Sequence, residues 1–276
     1  MTGQPVLVVG VTGKTGGRVA AELERRGVPV RGVSRTSAIP FDWDDPHTWP
    51  VVLRGVGAAY LATPTVPDLA AAQATAFVSA AVDAGVRRVV LLSGRSATAG
   101  SKRMLTLERA VRDSDADWTI LRPSVFDQNF SEGNLRDSVR SGVIRQVSTG
   151  AAKIDFIDVA DVAEVAATAL TTDGHLGKTY ELSGPRALSY AEAAATIASV
   201  TGRDIEVVEV EPTQWAADAL AAGVPPEAVE WSLEAADGVR NGFYATPFDD
   251  AARILGREPR SFKSFVHAAA AAGAWD

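Results

Sequence analysis

The first apolar run of the chain, Val6-Leu7-Val8-Val9, contains no polar position. A continuous, mostly β-branched run of this kind predicts a strand buried on both faces, as parallel sheets require. Gly10 to Gly17 follow as a glycine-rich turn. Val19, Ala20 and Leu23 then recur at helical spacing until Gly27. Val28 to Ser34 reads as a second strand, which completes a strand–helix–strand unit within about thirty residues. The alternation continues with a short strand at Ile39 to Phe41, a helix opened by Asp45-Pro46 and a strand from Gly57 to Leu61. An Ala-rich helix from Pro67 to Ala84 is closed by Gly85. A strand from Arg88 to Leu92, a helix from Lys102 to Arg112 and a strand from Trp118 to Leu121, ended by Arg122-Pro123, come next. Strands separated by helices in this rhythm predict right-handed crossovers and a mainly parallel sheet.

Past Pro123 the rhythm loosens. Ser124 to Gly150 mixes a loop, a short helix and a Gly-interrupted segment. Asp158 to Leu170 reads as a helix, Lys178 to Leu182 as a strand and Ile205 to Val210 as a late strand. Ser189-Tyr190-Ala191-Glu192 has the spacing of a capping box, opening a helix to about Val200. From Pro212 onward the pattern is mostly helical.

The turn Gly10-Val11-Thr12-Gly13-Lys14-Thr15-Gly16 places glycines at i, i+3 and i+6. One allows a sharp exit from the strand, one lets backbone approach a pyrophosphate, and one lets the helix pack close to the sheet. The pyrophosphate would meet free amides at the positive end of the helix dipole. Position after a buried strand and before an amphipathic helix is the confirming context for a dinucleotide site. Gly13-Lys14-Thr15 also resembles the end of a P-loop, but the required upstream glycine is Val8, so that reading is excluded. NAD-specific folds usually carry an acid at the end of the second strand. Here Ser34-Arg35 stands there, and Arg35 can hold a 2′-phosphate with its forked donors, with Lys14 as a second cation. NADP(H) is therefore expected in preference to NAD(H). The fold class expected is α/β, a Rossmann-type doubly wound parallel sheet. Residues 1–150 form the NAD(P)-binding domain, and residues 151–276 form a smaller, mostly helical substrate region interwoven with the sheet.

Composition narrows the partners. The formal net charge of −7, without a basic patch, argues against nucleic acid. No apolar stretch is long enough to span a bilayer, and the first residues lack a basic leader pattern. The absence of cysteine removes disulfides, thiolate nucleophiles and Cys-based metal sites, and fits a cytoplasmic protein. His47, His175 and His267 show no ligand spacing, so no metal is expected. A small-molecule substrate and a monomer or homodimer are the expected partners.

The glycine turn, Ser34-Arg35, Phe41-Asp42-Trp43-Asp44, Val86-Arg87-Arg88-Val89-Val90-Leu91-Leu92-Ser93 and Thr119-Ile120-Leu121-Arg122-Pro123 occur in order, followed by Asn129-Phe130 and Asp158-Val159-Ala160-Asp161-Val162-Ala163. Together they resemble the NmrA-like branch of the atypical short-chain dehydrogenases/reductases. Within it, the chain looks most like bacterial relatives of the ergot-alkaloid dehydrogenases and, more distantly, triphenylmethane and quinone reductases. The resemblance implies cofactor contacts from Gly10, Thr12, Gly13, Lys14, Thr15 and Gly16. It further implies Asp42 and Trp43 near the adenine, Ala62, Thr63 and Pro64 along the ribose and pyrophosphate, and Ser93 and Gly94 beside the nicotinamide. Phe126, Asn129 and Phe130 would border the substrate pocket, with Trp215, Trp231 or Phe243 closing it; Phe126 and Phe130 read equally as core.

Typical short-chain reductases use Tyr-x-x-x-Lys, the Tyr donating a proton that the Lys makes easier to release. The corresponding stretch here is Ser101-Lys102-Arg103-Met104-Leu105-Thr106-Leu107, and no tyrosine lies between Tyr60 and Tyr180. Ser93, Lys102, Asp127 and Tyr244 are the remaining proton-donor candidates on chemistry alone. Two readings stand. One is an NADP(H)-dependent reductase of a small apolar or conjugated acceptor (iminium, quinone or enone-like) that needs little acid catalysis. The other is a non-catalytic NADP(H)-binding redox sensor.

Overall fold

A computed structural model describes residues 3–62, 71–133 and 135–276. The first half alternates as expected: β1 (Val6–Val9), α1 (Lys14–Arg25), β2 (Val30–Val33), α2 (Trp49–Leu53), β3 (Ala58–Ala62), α3 (Ala71–Asp83), β4 (Arg88–Leu92), α4 (Lys102–Arg112) and β5 (Asp117–Pro123). Then come α5 (Arg136–Ser141), β6 (Val143–Val147), α6 (Val159–Thr171), β7 (Lys178–Leu182), α7 (Tyr190–Thr201) and β8 (Glu206–Val210). Four helices finish the chain: α8 (Pro212–Ala221), α9 (Pro226–Arg240), α10 (Asp250–Leu255) and α11 (Phe262–Ala271). The main sheet has the order β2-β1-β3-β4-β5-β7, and every neighbouring pair is parallel. This is the α/β Rossmann-type sheet.

Both faces of that sheet are covered, which explains why its strands are apolar without alternation. Leu7, Val9, Ala59, Leu61, Val89, Leu91 and Ile120 lie in one core with Trp49, Phe77 and Leu107 from α2, α3 and α4. Their strand neighbours Val6, Val8, Tyr60, Val90 and Leu121 are also buried. Period-two geometry sends these to the opposite face. On the helical side α1 packs along α6, and α3 along α4.

The chain divides into two compact units. The first comprises Met1–Pro123, Val159–Leu182 and Arg253–Gly256; the second comprises Ser124–Asp158, Ser183–Ala252 and Arg257–Asp276. The expected boundary at residue 150 falls inside the second unit. The chain leaves the sheet at Pro123 and must come back, because the edge strand β7 is supplied later. The second unit contains the parallel pair β6–β8 and a core of Phe130, Phe156, Phe262, Val266 and Trp275. Its α7 opens with the capping box expected from sequence: Ser189 and Glu192 bond each other's backbone amides reciprocally.

The strand expected at Ile39 to Phe41 is not formed; the segment makes a single bridge, Ser34 to Pro40. Pro40 has no amide hydrogen for a ladder. Ser37 also turns the chain, its hydroxyl bonding Ser34 O at 2.9 Å while accepting from Ser34 N at 2.7 Å. Among the described residues no helix is long and apolar enough to cross a membrane.

Candidate dinucleotide site

β1 has β2 on one side and β3 on the other, so its carboxyl end lies at the point where the strand order reverses. Open α/β sheets bind ligands outside the carboxyl ends of strands at this point. Gly10 leaves β1 there with φ +79°, a left-handed conformation that favours glycine. Its amide and that of Val11 both donate to Val33 O, at 2.9 and 3.1 Å, tying the turn to β2. Gly13 N returns to Gly10 O at 2.9 Å and starts α1.

The glycines are required by close approach. A Cβ on Gly16 would sit 2.2 Å from Gly10 O, and one on Gly13 3.2 Å from the same atom. Gly16 thus sets how near α1 lies to the turn, while Gly13 is exposed at the helix entrance. The first amides of a helix have no acceptor inside it. No side chain caps α1, and its first turn holds no acid. Thr12 is exposed, Lys14 half-buried and Thr15 buried. Tyr60 lies beneath this turn with Thr15 next to its hydroxyl, and burial pushes its phenol well above the ordinary value. Main-chain donors and the positive dipole end suit this corner to a diphosphate.

Ser34 and Arg35 follow β2 directly. Ser34 is committed to the local turn, whereas Arg35 is exposed. Asp42 is half-buried, and its carboxylate accepts from Asp44 N at 3.1 Å. Trp43 is buried edge-on against Phe41 and Phe77, with ring centroids 5.1 and 4.9 Å away. At 7% exposure it has little surface left for adenine. Trp43 is therefore a member of the aromatic core. Ala62, the last residue of β3, lies against the turn: a Cβ on Gly10 would meet Ala62 Cβ at 3.4 Å. Thr63 and Pro64, and the start of the helix expected from Pro67, lie outside the described residues.

Ser93 and Gly94 end β4 on the same edge of the sheet. Ser93 Oγ donates to Glu108 Oε1 at 2.7 Å, and Gly94 precedes a short turn of 3-10 helix. Glu108, on α4, is 1% exposed and is gripped by Arg122 through two 2.7 Å bonds. Arg122 also reaches Glu181 at 3.1 Å and Thr98 at 2.9 Å. Its guanidinium is raised above its ordinary value, chiefly by the hydrogen bond to Glu108. Sequence reasoning missed this network. Lys102, exposed at the start of α4, does not join it.

Of the pocket and proton-donor residues expected in the second unit, Phe130 and Tyr244 lie in one core, with Phe243 packed against it. Phe130 is 0% exposed and packs against Phe156, Tyr190 and Phe262. A side chain without solvent-accessible surface walls no water-filled pocket, so Phe130 is core. Asp127 is likewise 0% exposed, its amide donating to Ile157 O, so its carboxyl cannot meet a diffusing substrate. Tyr244 is buried edge-on against Phe243. Phe126, Asn129, Trp215 and Phe243 are half-buried, and Trp231 is exposed. The other tyrosines are also committed: Tyr180 bonds His175 at 2.9 Å, and Tyr190, its phenol pushed up to about 12 by burial, packs on Phe156. Among the described residues no group of three His, Asp or Glu side chains forms a metal-ligand cluster. A cavity of about 490 Å³ lined by Thr168, His175, Lys178 and Arg253 lies by the amino end of β7, away from the glycine turn.

Comparison with known proteins agrees with the resemblance read from the motifs. The uncharacterized oxidoreductase YesF of Bacillus subtilis is 32% identical over 278 residues, covering 98% of this chain and 97% of its own. Agroclavine dehydrogenase of Claviceps purpurea is 30% identical over 278 residues, covering 95% of this chain and 96% of its own. The crystal structure of the NADPH-dependent quinone oxidoreductase QOR2 of Escherichia coli with NADPH matches with a TM-score of 0.81 at 22% identity, over 95% of this chain and 98% of that one. At that identity the likeness concerns the fold. The description "NmrA-like family" fits residues 2–265, nearly the whole chain. The chain belongs to the NmrA-like family.

Proposed function

We propose that this protein is an NADP(H)-dependent reductase of a small apolar or conjugated acceptor, working without the Tyr-x-x-x-Lys pair. The observation that carries this reading is the bare-amide corner at the switch point, closed by Gly10, Gly13 and Gly16, with Arg35 rather than an acid at the end of β2. Gly13, Lys14 and Thr15 would hold the diphosphate through main-chain donors. Arg35 would take the 2′-phosphate, favouring NADP(H) over NAD(H). The chemistry that a bound reduced nicotinamide supplies is a hydride. The residues of this chain bind, orient and exclude water, and none of its four tyrosines stands free as a proton donor. Acceptors that need no such donor, an iminium or a quinone, suit that inventory. The names of the relatives, an oxidoreductase, an agroclavine dehydrogenase and an NADPH-dependent quinone oxidoreductase, support the same class.

The test is to follow the near-ultraviolet absorbance of NADPH with purified protein and a panel of iminium and quinone acceptors. Acceptor-dependent consumption is expected, with Arg35→Ala weakening NADPH about tenfold while leaving NADH within about twofold. NADPH binding without consumption of any acceptor would replace the reductase reading with that of a redox sensor.

A further inference from the structure

One side chain on the cofactor edge of the sheet has its hydrogen-bonding role fixed in advance. Ser93 directly follows β4, at the carboxyl edge where ligands of open parallel sheets bind. Its amide donates to Leu121 O at 2.8 Å, anchoring it to β5. Its hydroxyl lies 2.7 Å from Glu108 Oε1, and the direction of that bond follows from the other partners of Glu108. Arg122 Nε donates to Oε1 and Arg122 Nη2 to Oε2, each at 2.7 Å, and Arg112 Nη2 donates to Oε2 at 3.1 Å. A carboxylate has about four lone-pair sites, and these contacts with Ser93 fill them. Held by two guanidinium groups, it has no hydrogen to return, so the shared hydrogen belongs to Ser93. A serine hydroxyl has a single hydrogen and two lone pairs. With that hydrogen committed, Ser93 offers a ligand acceptor lone pairs only.

We infer that Ser93 is a specificity-determining acceptor, held in that state by Glu108 as a positioning residue, and that it favours substrates bearing an N–H cation beside the reducible carbon over neutral carbonyl acceptors. This rests on the reductase reading and names its substrate class. An iminium N–H donates to the Ser93 lone pair, whereas a quinone oxygen brings lone pairs of its own. On reduction the C=N carbon gains the hydride, the π pair becomes the nitrogen lone pair, and oxidised nicotinamide is left. The nitrogen already carries its proton, so the protein supplies none. Because the nitrogen loses its positive charge in this step, the bond to Ser93 is strongest before reaction and acts on KM more than on kcat.

The test compares dihydroisoquinolinium, an N–H iminium, with menadione, a neutral quinone, and measures tetrahydroisoquinolinium, an N–H cation that a reduced nicotinamide cannot reduce further, by calorimetry on the protein with NADPH. Ser93→Ala is expected to lower the iminium-to-menadione ratio of kcat/KM about tenfold or more, through KM, and to weaken tetrahydroisoquinolinium similarly. Ser93→Thr, which keeps the hydroxyl, restores both. An unchanged ratio, or equal affinity of wild type and Ser93→Ala for tetrahydroisoquinolinium, overturns the assignment, as does wild type that fails to bind this cation. If wild type reduces neither acceptor, the reductase reading fails, and calorimetry alone decides the acceptor role of Ser93.

Discussion

Gly16→Ala is the sharpest perturbation of the dinucleotide corner. The added methyl would lie 2.2 Å from Gly10 O and 2.7 Å from Gly10 C, about 1.2 Å inside the 3.4 Å at which ordinary contact begins. Both obstacles are backbone, and Gly10 O is already held by Gly13 N at 2.9 Å, so no side chain can swing aside. The start of α1 must move outward or the turn must reshape. Overpacking of this kind costs about 1–3 kcal/mol. If the whole displacement is felt by the amides that face the diphosphate, NADPH affinity falls about 5- to 150-fold. Gly27→Ala is the control: Gly27 also has positive φ, +74°, but open space around it, at the far end of the same helix. It is expected to cost about 1 kcal/mol of stability and nothing in NADPH affinity. Calorimetric titration with NADPH, well below the melting temperature of each variant, separates the two effects. A folded Gly16→Ala protein that binds NADPH as tightly as wild type refutes the placement of the cofactor at this corner.

Three further outcomes are expected. Phe130→Ala empties a fully buried aromatic site and should cost about 3–5 kcal/mol in urea denaturation; a pocket residue would instead change KM at unaltered stability. Glu108→Ala leaves Arg122 with Glu181 as its remaining acidic partner among the described residues, and should destabilise by about 3 kcal/mol in the same assay, while a cost within about 0.5 kcal/mol, the usual range for surface changes, would refute the view that the network is buried and coupled. Glu22 is lowered from 4.5 to about 2, first by its hydrogen bond to Arg25 and further by Arg26. Since its folded value is the lower one, the stabilisation is present above about pH 4.5 and disappears as pH falls towards 2. Glu22→Gln should therefore flatten part of the acid slope of the melting temperature in that window. An identical slope would count against the pairing.

What could be read from sequence was local or periodic. The apolar runs of β1 and β4 and the helical repeat of α1 predict the sheet because each strand is buried on both faces. The Ser189–Glu192 box is legible because its partners are three residues apart. The surroundings of Trp43 and Phe130 were not legible in the sequence, for one shared reason. An aromatic residue after a strand serves equally well as a cofactor wall or as core, and only its neighbours decide. Phe77 for the first, and Phe156 and Phe262 for the second, come from distant parts of the chain. The pairing of β6 with β8 was hidden in the same way: the two strands belong to segments separated by α6, β7 and α7.

The Glu108–Arg122 pair marks the boundary between what sequence can and cannot supply. An arginine that closes the run Thr119-Ile120-Leu121 just before a proline is a charge at the end of a buried strand, and it needs a partner. That requirement is visible in the sequence. The identity of the partner is not, because α4 offers Glu108 while β7 offers Glu181, and the choice depends on which residues the helix turns towards the sheet. In the fold both are used: Glu108 through a two-pronged grip and Glu181 through a single nitrogen. Only then does the serine that ends the neighbouring strand become informative. A hydroxyl facing solvent can donate or accept, but one facing an acid that two arginines already hold can only accept. The chemistry assigned to Ser93 thus depends on Arg122, 29 positions further along the chain and one strand away in the sheet.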